Sequence, residues 1–237
     1  MHLKIRSAKG VRAAGGKVVA LVNQSGSDVE AASDVTLPLN AGPELAVPAT
    51  KSVIGSIAAG MALLGAMKPD YAARSAASAK RFAGLEGQAH PKAAALTSAL
   101  LRAHHVYVVG RDTGFGAAHE MALKLKECCA IHAEAYSSSE VLHGPLQLVT
   151  NPLLIVMLDT GQPDVQASLD TAEARFTGAG GTVIRLRPSD MGADDMTPAA
   201  AAAYLLYLTY PIILNVALAL GLNPDHPATL SKVTQTT

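Results

Sequence analysis

The chain has 237 residues, of which 49% are hydrophobic and 16% are charged, and 19 lysines and arginines balance 19 aspartates and glutamates. This composition suffices for one large domain or two small ones, and its balanced charge argues against a nucleic-acid partner. The two cysteines, Cys128 and Cys129, are adjacent, which excludes the disulfide framework of a small secreted protein. A metal pair would need further ligands that no second cluster supplies, so we favour buried core thiols.

The first third of the chain predicts two short strands and a long helix. Residues 1–16 lack the apolar stretch of a secretory signal peptide, which favours a cytoplasmic protein. The predicted elements are strands at 17–22 and 34–39 and an apolar helix at 49–67. Residues 68–95 are more polar and contain two prolines and two glycines, which is typical of a helical connector. We therefore divide the chain into a first unit at 1–68, a connector at 69–90 and a second unit at 91–237.

The second unit shows a regular alternation of strands and helices. The predicted elements are a helix at 91–103, a strand at 104–110, a loop at 111–116, a helix at 117–130, a strand at 152–158, a helix at 162–180 and a strand at 182–187. This alternation predicts a parallel sheet with helices on both faces. Ligands of such sheets bind beyond the carboxyl ends of the strands, where residues 110–113 and the end of the 34–39 strand fall.

An uncharged segment at 198–221 is long enough to cross a bilayer. Pro211 interrupts it, and Asp194 and Asp195, rather than basic residues, precede it. A helix buried in a packed α/β protein has the same composition. We favour the buried helix over the membrane span.

Two glycine-containing loops resemble ligand-binding motifs. Residues 22–28, Val-Asn-Gln-Ser-Gly-Ser-Asp, have the composition of a phosphate loop, but no long helix follows to complete the cradle, so we favour a plain turn. Residues 110–116, Gly-Arg-Asp-Thr-Gly-Phe-Gly, resemble a dinucleotide fingerprint with the wrong spacing. Neither loop predicts a cofactor.

Acidic, basic and hydroxyl side chains are concentrated at residues 117–145. Met121, Leu125 and Cys128 recur at helical spacing and predict the buried face of the helix, while Lys124 and Glu127 share another face. That pair could be a surface ion pair, or it could take part in proton transfer together with the histidines and serines that follow. The residues alone indicate sugar or sugar-phosphate chemistry at most.

The stretch Ala-Leu-Lys-Leu-Lys-Glu-Cys-Cys-Ala-Ile-His-Ala-Glu-Ala-Tyr-Ser-Ser-Ser-Glu-Val-Leu-His-Gly-Pro at 122–145 resembles the signature of the sugar isomerase (SIS) domain family. Within the family, it is most similar to the isomerase part of glucosamine-6-phosphate synthase and to SIS-type glucosamine-6-phosphate deaminases. Residues 37–52 resemble the loop and helix start that close the first SIS unit. Residues 223–237 resemble the tail that folds over the family's active site. The resemblance implies a three-layer α/β/α sandwich with two tandem SIS units.

The resemblance also implies roles for four catalytic residues. Glu127 would be the base that moves a proton between C1 and C2 of the open-chain sugar. Lys124 would position the substrate and stabilise developing negative charge. His143 would assist ring opening from the partner subunit of a homodimer, and Lys232 would contact the sugar carbonyl, where it can form a Schiff base.

Three further residues match positions that contact the substrate. Val47 and Ala49 match positions that line the sugar, although the family often has serine at the second, so Ala49 removes one hydroxyl contact. Ser231 matches a substrate-binding position in the tail. The family's phosphate loop, Ser-x-Ser-Gly-x-Thr, has no match, and Ser-Ala-Lys-Gly at 7–10 aligns with the helix that follows that loop. The first SIS unit is therefore expected to be incomplete.

The resemblance favours one reaction and leaves two alternatives open. The expected reaction converts glucosamine 6-phosphate to fructose 6-phosphate and ammonia, because the ending at 232–237 and the loop at 140–149 are most similar to the stand-alone deaminases. One alternative is the isomerase part of a glutamine–fructose-6-phosphate aminotransferase. The other is a non-catalytic module that binds sugar phosphates. We expect no metal or cofactor, no nucleic-acid or membrane partner, and a homodimer with the helices 49–67 and 198–221 at its interface.

Overall fold

The computed structural model describes residues 2–232, and these form an α/β fold in which every strand pairing is parallel. The strands are β1 (Val19–Val22), β2 (Val35–Pro38), β3 (His105–Gly110), β4 (His132–Ser137), β5 (Leu154–Leu158) and β6 (Thr182–Leu186). The helices are α1 (His2–Ala13), α2 (Asp28–Ala31), α3 (Lys51–Met67), α4 (Pro69–Gly84), α5 (Ala93–Leu100), α6 (Thr113–Cys129), α7 (Pro163–Gly178) and α8 (Pro198–Ala219). Short 3₁₀ turns follow β4 and β6 at Glu140–Leu142, Pro145–Thr150 and Pro188–Met191.

The strands form two separate sheets, one within residues 19–38 and the other within residues 105–186. Among the described residues, the first sheet has two strands, β1 and β2, and the second has four in the order β4-β3-β5-β6. Side chains of β3 alternate between the two faces of the second sheet. Val106 and Val108 pack on what we call the α6 face, against α5, α6 and α8, and Tyr107 and Val109 pack on the α7 face. The predicted three-layer arrangement is therefore present.

Strand β4 was not predicted from the sequence. Its residues, His-Ala-Glu-Ala-Tyr-Ser, include alanine and glutamate, which are depleted in strands. It lies at the edge of the sheet, and its register with β3, for example Val108 opposite Ala135, satisfies its backbone on one side only. Parallel pairing with β3 outweighs the low intrinsic strand propensity.

Helix α6 begins at Thr113, four residues before the predicted start, so the loop predicted at 111–116 is wrong in its second part. The glycines there serve close packing. A Cβ atom on Gly110 would lie 2.2 Å from the Gly114 carbonyl oxygen, and a Cβ atom on Gly114 would lie 2.6 Å from the Leu158 carbonyl oxygen. The turn from β3 into α6 therefore needs glycine at both positions because backbone approaches backbone.

Helix α8 is the one helix among the described residues that is long and apolar enough to cross a membrane by length and composition. In this fold, 67% of its most apolar window is buried, and Leu205, Val216 and other residues pack against α6 in the core of the second unit. Tyr204 packs edge-on against Phe82 of α4, with ring centroids 5.2 Å apart. This burial favours a core helix over a membrane span. The predicted connector contains α4, which packs directly on α8.

Candidate functional site

A cavity of about 370 Å³ lies where α6 and α8 meet two irregular segments, residues 46–50 and 224–225. Its lining residues are Ala46, Pro48, Thr50, Lys124, Cys128, Tyr207, Tyr210, Pro211, Ile213, Leu214, Pro224 and Asp225. Most of these side chains are apolar, and Lys124 and Asp225 supply the charged groups. A cavity with an apolar lining and a few convergent polar groups is the usual form of a small-molecule site.

The segment before α3 is held in place by Glu44. One Glu44 carboxylate oxygen accepts hydrogen bonds from the backbone N–H groups of Thr50 (2.8 Å) and Ser52 (3.1 Å), and the other accepts one from the Ser52 hydroxyl. Burial raises the pKa of Glu44, but these hydrogen bonds outweigh burial and hold the pKa below its usual value. The carboxylate therefore stays ionised at the N-terminus of α3, where negative charge is favourable.

The C-terminal segment fastens onto the same loop. The Val47 N–H donates to the Asp225 carbonyl oxygen at 2.9 Å, and Lys232 Nζ donates to the Ala46 carbonyl oxygen. Lys232, predicted from the resemblance, is thus brought to the wall of the cavity. Ser231, its neighbour, is exposed. Residues 233–237, which complete the segment that resembles the family's tail, lie outside the described residues.

The cavity wall at residues 46–50 consists of Ala46, Pro48 and Thr50. Val47 and Ala49 alternate with them in sequence and are half-buried beside the cavity. The predicted contact of these two residues with a sugar stays a prediction.

Lys124 joins two carboxylates on the same helix. Its Nζ atom lies 2.6 Å from Glu127 Oε2 and 3.5 Å from Glu120 Oε1. Tyr210 of α8 donates its hydroxyl to Glu120 Oε1 at 3.1 Å. The Lys124 side chain is 4% exposed, compared with 12% for Glu120 and 23% for Glu127. The surface ion pair that the sequence left open is therefore excluded, because the lysine is buried.

The two carboxylates occupy different environments. Burial is the largest influence on Glu120 and raises its pKa, although Lys124 and the Tyr210 hydroxyl act in the opposite direction. Burial also raises the pKa of Tyr210, and Glu120 adds to that effect, so the phenol stays protonated and serves as a donor. Glu127 is the more exposed partner, and Lys124 links it to the cavity. A partly exposed carboxylate held by a buried ammonium group can accept and return a proton.

Glu120 and Tyr210 were missed in the sequence. Glu120 lies four residues before Lys124, which is the spacing of an ion pair on one helix face and was a usable signal. Tyr210 lies 90 residues from Glu120, and only the packing of α6 on α8 brings the two together.

Within one subunit, His143 and the Lys124–Glu127 pair belong to opposite faces of the second sheet. His143 is exposed and follows the 3₁₀ turn Glu140–Leu142, whose Val141 packs with Tyr107 on the α7 face of the sheet. Lys124 and Glu127 belong to the helix that covers the opposite face. The structure of one subunit therefore does not bring His143 to Lys124 and Glu127, and its predicted entry from a partner subunit stays a prediction.

The carboxyl edge of the second sheet, where the sequence placed a ligand, is occupied by protein side chains. Arg111 Nη1 donates to the hydroxyls of Ser137 (2.7 Å) and Ser139 (2.6 Å). Gln162 Nε2 donates to the hydroxyls of Thr113 (3.3 Å) and Thr160 (3.4 Å). The cavity lies instead beside the last turns of α6, where the loop at 46–50 forms part of its wall.

A second cavity is less suited to catalysis. This cavity, of about 460 Å³, lies at the amino ends of the second sheet's strands and is lined by His104, Arg102 and mostly uncharged residues of 149–154. We prefer the smaller cavity as the site, because it contains the buried Lys124 with its carboxylates.

Within residues 2–232, no three histidine, cysteine, aspartate or glutamate side chains are grouped in a way that could hold a metal ion. Cys128 and Cys129 are buried, as predicted.

Comparison with known proteins finds a SIS domain within the chain. The SIS domain family matches residues 99–187. The chain contains a SIS domain. A glutamine–fructose-6-phosphate aminotransferase (isomerizing) of Aeropyrum pernix is 32% identical over an alignment of 250 positions, which covers 93% of this SIS protein and 39% of the relative. The SIS protein thus spans about two fifths of the length of that relative, and the resemblance inferred from residues 122–145 is confirmed.

Solved structures agree on the fold. A Silicibacter pomeroyi protein described as a phosphosugar isomerase superposes with a TM-score of 0.80 at 26% identity, over 93% of the SIS protein and 69% of that chain. A glucosamine-6-phosphate deaminase of Thermotoga maritima superposes with a TM-score of 0.65 at 20% identity, over 94% and 69% of the two chains. At that identity, the second likeness shows the fold alone.

Proposed function

We propose that this SIS protein performs aldose–ketose chemistry on a sugar phosphate, and that its reaction is the hydrolytic deamination of glucosamine 6-phosphate. One water is consumed, and fructose 6-phosphate and ammonia are formed. The observation that carries this proposal is the buried Lys124 on the cavity wall with Glu127 at 2.6 Å. Shifting a carbonyl from C1 to C2 needs one base that removes a proton from one carbon and returns it to the next, and a paired carboxylate suits that role.

In this proposal, Glu127 moves the proton, and Lys124 stabilises negative charge on the enolate-like intermediate. The ammonium group is held between Glu120 and Glu127, so it is oriented before the substrate enters, which reduces the reorganisation needed during the reaction. Lys232 stands on the loop side of the cavity, where its amine can approach the sugar carbonyl once it leaves the Ala46 carbonyl.

The decisive measurement is the release of ammonia and fructose 6-phosphate from glucosamine 6-phosphate. Both products should appear in equal amounts with the wild-type protein, and Glu127→Gln should lower kcat by about 100-fold or more, since general-base catalysis contributes about that much. Glu86→Gln, in an exposed position after α4, is the matched control and should leave kcat unchanged. Equal activity of Glu127→Gln and Glu86→Gln would remove Glu127 from the mechanism.

The second candidate is the isomerase activity of an aminotransferase, and the 32% identity to the Aeropyrum pernix relative favours it. Aldose–ketose isomerisation without ammonia would interconvert fructose 6-phosphate and glucose 6-phosphate. Glucose 6-phosphate formation without ammonia release from glucosamine 6-phosphate would favour this candidate. Binding of both sugar phosphates with no turnover of either would favour the non-catalytic binding module.

We also propose that the active unit is a homodimer in which His143 completes the site of the partner. The exposure of His143 and its position on the α7 face support a contact outside its own subunit. Glu127→Gln and His143→Ala, each inactive alone, should recover part of the activity when their chains are mixed, because each hybrid dimer then has one intact site. Mixed dimers without recovered activity would contradict the shared site.

A further inference from the structure

Helix α8 contains a proline in its interior. The helix runs from Pro198 to Ala219, and Pro211 lies beyond its middle. Proline has no N–H group, so the carbonyl of Tyr207, four residues earlier, loses the donor that an α-helix normally supplies. The proline ring also pushes that carbonyl away from the helix axis.

The two residues that the missing hydrogen bond would join, Tyr207 and Pro211, lie on the side of α8 that lines the cavity. Tyr207, Tyr210, Pro211 and Leu214 recur at helical spacing, and all four line the cavity. Both tyrosine hydroxyls are already engaged with protein groups, since that of Tyr207 accepts from the Gly87 N–H at 3.2 Å and that of Tyr210 donates to Glu120. What remains for a ligand on this wall is therefore apolar surface, together with any main-chain group that lacks a helical partner.

An interior proline destabilises a helix, and a buried carbonyl group without a hydrogen-bond donor destabilises the folded protein further. Here the missing helical bond would have joined Tyr207 and Pro211, which both line the cavity that also holds Lys124. The cavity thus has an ammonium donor on α6 and a main-chain acceptor on α8, which suits a ligand that carries both acceptors and hydroxyl or amino donors.

We propose that the Tyr207 carbonyl accepts a hydrogen bond from a hydroxyl or amino group of the sugar phosphate, and that Pro211 is the positioning residue that keeps this carbonyl available. The inference rests on the proposed function for the ligand class. It adds a recognition element on α8 that neither Lys124 nor Glu127 supplies. In the complex, the bond to the ligand, rather than a helical bond, satisfies the carbonyl.

The test is Pro211→Ala, which supplies the missing N–H and closes the helical bond to Tyr207. Binding is measured by calorimetry with glucitol 6-phosphate, an open-chain sugar phosphate that cannot be isomerised. We expect a higher Tm than wild type but about tenfold weaker binding, the effect of one lost hydrogen bond. Pro211→Val supplies the same N–H with as many side-chain carbons as proline and should weaken binding equally. Leu218→Ala changes an exposed residue of the same helix that does not line the cavity, and its binding should stay within about twofold of wild type.

Monodeoxy analogues of glucitol 6-phosphate identify the bonded group. The analogue that lacks it should bind wild type about tenfold more weakly and bind Pro211→Ala no more weakly than the parent compound does. Unchanged binding in Pro211→Ala and Pro211→Val would overturn this inference, while wild-type binding of glucitol 6-phosphate would leave the proposed function standing. A wild-type protein that binds none of these sugar phosphates would overturn both. In the Pro211→Ala variant, hydrogen exchange at the newly introduced N–H as fast as at an open amide would also overturn the role given to Pro211.

Discussion

Replacing Lys124 with methionine should strongly destabilise the protein at neutral pH. The substitution keeps an unbranched side chain but removes the charge that faces Glu120 and Glu127. Removal of one partner from a buried ion pair costs roughly 3–5 kcal/mol. Glu127 is 23% exposed and can turn toward water, whereas Glu120 is 12% exposed and is fixed by the Tyr210 hydroxyl. The loss should therefore lie at the lower end, about 3 kcal/mol.

The pH dependence of this loss gives a second check. Burial already raises the pKa of Glu120 in the folded protein, and removal of Lys124 takes away a group that lowers it. A carboxyl group with a raised folded-state pKa destabilises the fold above its unfolded pKa, and this effect fades as the pH falls through the folded pKa. The difference between wild type and Lys124→Met should thus be largest near neutral pH and shrink toward about pH 4, where carboxyl groups protonate.

Urea unfolding at several pH values measures both effects. Lys126→Met is the matched control, because Lys126 is exposed on the same helix and its replacement should change the free energy of unfolding by less than about 0.5 kcal/mol. The double variant Lys124→Met/Glu120→Gln should recover part of the loss, since glutamine still accepts from Tyr210 without a charge. A loss in Lys124→Met equal to that in Lys126→Met, or independent of pH, would refute the reasoning.

Three further predictions concern α6 and its ends. Gly114→Ala should destabilise the protein by about 3 kcal/mol in chemical denaturation, because the new Cβ would meet the Leu158 carbonyl oxygen at 2.6 Å. Gly116→Ala, whose new Cβ would meet nothing within 4 Å, should instead stabilise the protein by about 1 kcal/mol. A similar effect at both sites would contradict the packing argument. Ala130→Gly should stabilise the protein by roughly 0.5–1 kcal/mol in the same assay, because Ala130 caps the end of α6 in the left-handed conformation with φ of 53°. A loss of stability would show that this conformation is not strained. Burial raises the pKa of Cys129 to about 12, so mass spectrometry should find it alkylated by iodoacetamide at pH 8 only after unfolding, and rapid alkylation of the native protein would be inconsistent with its burial.

The sequence predicted those parts of the fold that depend on local pattern. Strands β3 and β5 are continuous apolar runs, and the buried face of α6 was read correctly from the spacing of Met121, Leu125 and Cys128. Strand β4 could not be found in this way, because its alanines and glutamate indicate no strand until β3 pairs with it. The start of α6 was misplaced because glycines usually mark loops, whereas here they permit close backbone contact.

The candidate site was predictable where its residues share one helix. Lys124 and Glu127 are three residues apart, and the helical period alone places them together. The Tyr210 hydroxyl and the Ala46 carbonyl belong to segments far from α6 and Lys232 in the sequence, and only the packing of the helices and the C-terminal segment brings them to the cavity. Of these long-range contacts, the family resemblance implied a role for Lys232 alone, and Tyr210 was missed.

The attachment of the C-terminal segment to the loop before α3 has a consequence for folding. Val47 and Asp225 are joined through their main chains, and Lys232 contacts Ala46 across 186 residues of sequence. These contacts lie outside the core between α6 and α8, which is formed by other residues. The wall of the cavity can therefore detach while the sheet stays folded, in a local opening of low free energy. During synthesis, residues 46–50 leave the ribosome long before residues 224–232 can join them, so the cavity is one of the last parts of the molecule to form.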